Sequence, residues 1–140
     1  MSTIVTRAGK GSPLTHTEVD ANFNNLNTDK AGYITGEGGA VTQATSKSTG
    51  VTLSKKCGTV TMNNAALAAD TLVSFTLTNT TIAATDVIVL NHASAGTAGK
   101  YVLNAQAAAG SALITVTNIS AGALSEAIVI RFAVVKAVAA

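Results

Sequence analysis

The chain has 140 residues, room for one domain of ordinary size and an appendage. Hydrophobic residues make up 47% and charged residues 11%, the net charge is +2, and there are three Phe, two Tyr and no Trp. Scattered basic residues and few rings argue against a nucleic-acid footprint or a stacking platform. The fully apolar runs, such as "AIVI" and "FAVV", are far shorter than the roughly 20 residues of a membrane helix.

Residues 1–11, "MSTIVTRAGKG", read as an extended arm ending in flexible glycines. They lack an apolar stretch behind a basic start, so the chain is expected to fold where it is made. "STIVT" could add as a strand to a neighbour's sheet edge or could be a disordered terminus.

Helix signals follow at once. Thr15 is the expected N-cap, because Glu18 stands three residues on and completes a capping box. Leu14 before the cap and Val19 after it form the matching hydrophobic staple, and Pro13 fixes the chain direction upstream. Val19, Phe23 and Leu26 then recur at i, i+4 and i+7 as one narrow apolar stripe. The other faces carry Asp20, Asn22, Asn24, Asn25 and Asn27, and Gly32 is the expected stop. So short a helix is marginal alone in water. The stripe must pack on its own β-domain, on symmetry mates or on a larger particle; its a/d-like spacing would suit a short parallel bundle.

"AGYITGEGGA", residues 31–40, is glycine-rich and reads as a linker. Beyond it the apolar period changes from 3.6 to 2. "VTQAT", "GVTLS", "CGTVTMN", "TLVSFTLTN", "DVIVLN", "KYVLNAQA", "SALITVTN" and "AIVIRFAVVKAV" read as short strands separated by small-residue turns. The expected fold is mainly β: an arm and short helix over 1–30, the linker, and an antiparallel β-sandwich over 41–140, jelly-roll-like or another Greek key. "TLTNTTIAATDVIVL" (76–90) is echoed by "TVTNISAGALSEAIVI" (115–130), which suits two similar corners of a sandwich.

The last strand is apolar on both faces. Ile128, Ile130, Phe132 and Val134 alternate with Val129, Arg131, Ala133 and Val135. "DVIVL" is likewise apolar on both sides. A sandwich covers one face, and another subunit is the natural cover for the second, so an oligomer is expected.

Signals for chemistry are weak. Cys57, in "LSKKCGTV", reads as a small strand residue rather than a thiolate activated by Lys55 and Lys56. Cys57, His16 and His92 have no metal-ligand spacing. Asp70, Asp86 and Glu126 show no paired spacing, and Asp86 and Glu126 hold equivalent places in the echo. His92, with Ser94 nearby, lacks a nucleophile context and reads as a polar loop residue. "SAGTAGK" lacks phosphate-loop spacing and reads as a hairpin turn. No catalytic residue, cofactor or metal is expected.

"GSPLTHTEVDANFNNLN", residues 11–27, resembles the G-S-P-L-T-x-x-E-x-D-x-N-F-x-N-L-N segment near the start of many tailed-bacteriophage virion proteins, especially fibres and surface appendages. The Ala/Thr/Ser-rich β-region is similar, more loosely, to modules of phage structural and tail proteins. The resemblance implies a trimeric, non-enzymatic virion component made in the host cytoplasm. The absence of shaft repeats favours a capsid decoration (cement) or short head-fibre protein bound to the major capsid protein or another virion protein. The alternative is a short tail fibre or adhesin that binds host surface glycan, for which Tyr33 and Tyr101 are the available rings. Leu14, Val19, Phe23 and Leu26 are the expected attachment surface, and Val129 and Val135 belong to the expected oligomer face.

Overall fold

The computed structural model describes residues 4–28 and 36–137. The expected arm is in part helical. Thr6 accepts a hydrogen bond from the Gly9 amide at 3.1 Å and starts a single turn, α1 (Arg7–Lys10). Gly11 ends it at φ 71°, a left-handed conformation that glycine adopts without a Cβ clash. The glycine read as a flexible joint is therefore a helix cap.

Helix α2 (His16–Thr28) begins where the T-x-x-E signature predicts. The Glu18 amide donates to Thr15 Oγ1 at 3.3 Å, and the Thr15 amide donates to Glu18 Oε2 at 2.8 Å. Lys10 adds an ion pair to the same carboxylate at 2.5 Å. Gly32, the expected stop, and most of the linker lie outside the described residues.

Two packed four-stranded sheets form the rest. β1 (Ala40–Thr42), β3 (Cys57–Thr61), β8 (Val129–Val135) and β5 (Val87–Ser94) make the first, in the order β1-β3-β8-β5. β2 (Val51–Thr52), β4 (Thr71–Thr78), β7 (Ser111–Asn118) and β6 (Tyr101–Ala108) make the second, in the order β2-β4-β7-β6. Alternation sends Val60, Phe75, Leu77, Ile114, Val116, Ile130, Phe132 and Val134 inward, where each is almost wholly removed from water.

The expected antiparallel pairing holds for β3–β8, β5–β8, β4–β7 and β6–β7. It fails at two edges, because β1 pairs with β3, and β2 with β4, in parallel. The chain alternates between sheets from β1 to β4, so two successive crossings restore its direction. Gly58 permits the close β1 edge: a Cβ there would lie 2.7 Å from the Gly39 carbonyl oxygen. "SAGTAGK" also departs from expectation. It carries the chain from β5 in one sheet to β6 in the other, whereas the tight hairpin is β6–β7, turning at Gly110.

The internal echo is a pseudo-twofold relation. Phe75 lies opposite Ile114 across the β4–β7 ladder, and the offset between them also carries Asn79 onto Asn118. In the other sheet Asn91 lies opposite Arg131, with the offset that carries Asp86 onto Glu126. A local twofold passes through any directly opposed antiparallel pair. The β4–β5 and β7–β8 crossovers are thus equivalent corners at opposite ends of the sandwich.

Candidate functional site

Two polar clusters hold the side chains with the strongest chemical potential. The first gathers His92, Thr97, Tyr101 and Glu126. The Tyr101 hydroxyl donates to Glu126 Oε2 at 2.7 Å, while Thr97 donates its hydroxyl to Oε1 at 2.7 Å and its amide to Oε2 at 3.0 Å. The Thr97 hydroxyl and then Tyr101 hold the Glu126 carboxyl below its ordinary pKa. Burial, followed by the bond to Glu126, pushes the Tyr101 phenol up. These bonds stabilise a carboxylate and a neutral phenol.

His92 packs edge-on against Tyr101, with ring centroids 5.7 Å apart. Its Nε2 lies 2.6 Å from the Ala95 carbonyl, which can only accept, so Nε2 carries the proton. His92 lies in strand β5, not in a loop: it pairs with inward-facing Ile130, and after a register shift Ser94 pairs with Val129 on the outer face. The fold therefore sends His92 and Ser94 to opposite sides of the sheet.

The second cluster is at the equivalent corner. Buried Asp86 accepts from the Ala83 amide at 2.7 Å and from Lys136 Nζ at 2.6 Å; Lys136 also donates to the Thr81 carbonyl. The backbone bond and then Lys136 keep the Asp86 carboxyl below its ordinary pKa. Asp86 and Glu126 thus occupy separate crossovers, as their places in the echo suggest. Asp70 holds a left-handed turn at φ 50°.

Sequence reading missed a third network. Buried Lys47 donates to the carbonyls of Asn63 and Glu126, each at 2.6 Å, and burial lowers its pKa. Buried Gln43 donates to the carbonyls of Lys47 and Thr49 at 2.9 Å. The Lys47 bonds tie its loop to chain 16 and 79 residues away, and the Gln43 bonds close the loop locally onto backbone carbonyls, so neither leaves a side-chain pattern to read. Among the described residues no three His, Cys, Asp or Glu side chains gather as a metal site, and no helix is long and apolar enough to cross a membrane.

Surfaces present a clearer candidate. Leu14, just before α2, and Val19 on it are half-buried, but Phe23 is 69% exposed and Leu26 56% exposed. Among the described residues no strand forms a packed interface with α2. Asn22, read from sequence as part of the polar face, clamps the arm: its Oδ1 accepts from the Val5 amide and its Nδ2 donates to the Val5 carbonyl, both at 2.8 Å. Those paired bonds copy a β-bridge and hold the arm against the helix.

The outer face of the β1-β3-β8-β5 sheet is the second apolar surface. Val87 stands opposite Val135, and Ala133 lies between Val89 on one neighbouring strand and Cys57 on the other. Val135 is 48% exposed, whereas Val129 and Cys57 are half-buried. Asn91, Arg131 and Thr59 make a polar row across the middle. With Gly38 and Gly39 forming one wall, this face encloses a groove of about 480 Å³. It brings Val129 and Val135 together on one face, as read from sequence, whereas the α2 residues form a separate surface. Comparisons with protein-family models, curated proteins and solved structures found no match.

Proposed function

We propose that this chain is a non-enzymatic structural protein of a bacteriophage virion, a capsid decoration or short head-fibre protein that acts as a homotrimer. Residues 1–30 attach it, residues 31–40 link, and the sandwich of residues 41–140 faces outward. The carrying observation is the exposure of Phe23 on a helix whose start is fixed by the Thr15–Glu18 box and whose flank is clamped to the arm by Asn22. A marginal helix prepared in this way, with its stripe uncovered in its own chain, suits docking onto symmetry mates or a particle. The resemblance of residues 11–27 to phage virion segments supports the particle context.

The role is mechanical: area buried across many subunits would reinforce a shell, and the polar clusters would hold the sandwich corners together. The glycan-binding tail-fibre alternative has less support, since Tyr101 is buried and its hydroxyl is committed to Glu126. Binding to particles that lack the protein tests the reading. Phe23→Ala should forfeit roughly 3–5 kcal/mol per packed site and deletion of 1–30 should abolish binding, with circular dichroism still reporting a folded sandwich. Undiminished binding by the deletion variant would remove the N-terminal segment as the anchor.

A further inference from the structure

Arg131 stands at the centre of the polar row that crosses this largely apolar sheet face, flanked in register by Thr59 and Asn91. Among the described residues the ion pairs are Lys10–Glu18 and Lys136–Asp86, so Arg131 has no acidic partner there. Asp20, exposed beside the Phe23–Leu26 stripe, has no basic one. The chain thus carries an apolar groove with an unmatched cation and an apolar helix stripe with an unmatched anion.

We propose that helix α2 of one copy seats on the outer β1-β3-β8-β5 face of a neighbouring copy, with its Asp20 received by that copy's Arg131. Phe23 and Leu26 would fill the apolar part of the groove beside Val89 and Ala133. The Asp20 carboxylate would meet the guanidinium fork, whose planar donors suit a carboxylate better than a point charge does. Residues 29–39 join α2 to β1, and a segment of that length reaches up to roughly 35 Å, enough to cross to a neighbour. Each copy brings one helix and one seat. A head-to-tail contact of this kind leaves both surfaces exposed at the ends of an open chain, and covers all of them when the rotation closes into a ring. This inference rests on the homotrimer reading and deepens it by naming its contact; of the two dockings open to the α2 stripe, symmetry mates or a particle, it takes the first, so α2 would serve attachment through the oligomer it completes.

Charge exchange tests the pairing. Arg131→Glu and Asp20→Arg, singly, should each weaken self-association at least about tenfold in sedimentation equilibrium, and the double variant should recover most of the loss. Independently, Leu26→Cys in the full chain should form an intermolecular disulfide with Cys57 under copper-phenanthroline oxidation, and Cys57→Ser should abolish it. A monomeric wild type, or single variants that associate as wild type does, would overturn the proposal. So would loss of particle binding in Arg131→Glu with unchanged self-association, since the face would then meet the particle instead. Wild-type protein that coats particles as a monomer would sink this contact and leave the virion role standing, whereas a charge-dependent oligomer that ignores particles would do the reverse.

Discussion

Asn79 and Asn118 stand at opposite ends of the β4–β7 ladder and hold the same turn. Each is fully buried, and each side-chain oxygen accepts from both the amide and the hydroxyl of the residue two positions on, Thr81 or Ser120. The amide nitrogen then stitches the turn to a distant loop: Asn79 donates to the Lys55 carbonyl, and Asn118 to those of Leu67, Ala68 and Gly122. The repeated T-x-T-N is thus the fastening of the two equivalent crossovers, β4–β5 and β7–β8, where the chain leaves one sheet for the other. Both asparagines begin an N-x-[ST] triplet, but their burial gives them this structural role.

Asn118→Ala should cost about 3 kcal/mol, since it strands several buried backbone groups. Asn79→Ala should cost less, because its amide secures a single carbonyl. Urea denaturation of the two variants gives the ranking. Equal, near-zero effects would mean that the turns stand without their asparagines.

Asp86 should set part of the acid sensitivity. Its folded pKa is depressed by the Ala83 amide and then by Lys136. A depressed carboxylate contributes stability that is fully present above its unfolded pKa of about 4 and is lost as pH falls through the folded value. Asp86→Asn should therefore be less stable than wild type at pH 7, by about 1–3 kcal/mol, and the gap should narrow as pH falls below about 4. Melting temperatures across that window would show it; a constant gap would assign the loss to packing alone.

The α2 cap should act locally. Lys10 and the Thr15 amide hold the Glu18 carboxyl down to about 2, so the box stays charged through mildly acidic conditions. Thr15→Ala should weaken the helix by about 1 kcal/mol, which is roughly a fivefold faster amide exchange in α2. Amides of β4 and β7 should not change, because among the described residues α2 has no packed interface with the strands. Faster exchange in both regions would show that helix and sandwich unfold as one unit.

These cases also show what was legible in the chain. Thr15 and Glu18 announce the helix because a cap is a local device with fixed spacing. The period-2 runs announce the strands, and the two-sided apolarity of Val129–Val135 announces an outer face that is not wholly polar. The parallel pairing of β1 and β2 was not legible, since strands of two or three residues carry too little pattern to set a partner. The Lys47 and Gln43 network was hidden because its acceptors are backbone carbonyls, which every residue carries, and those of Lys47 lie 16 and 79 residues away. Asn79 and Asn118 could have been found: the echo placed an asparagine at the end of each equivalent strand, and its side-chain hydrogen bonding to a turn is an ordinary asparagine property. His92 was misplaced because a bulged strand end and a loop look alike in sequence.

The central claim is that this chain is a structural part of a virion. Quantitative mass spectrometry of purified particles, with peptides from the sandwich measured against the major capsid protein, tests it most directly. The account predicts that the chain is present in a fixed proportion to the shell, and that this proportion collapses for the variant lacking residues 1–30. Absence of the chain from purified particles would contradict the account outright, and a copy number confined to the tail would replace decoration with the fibre alternative.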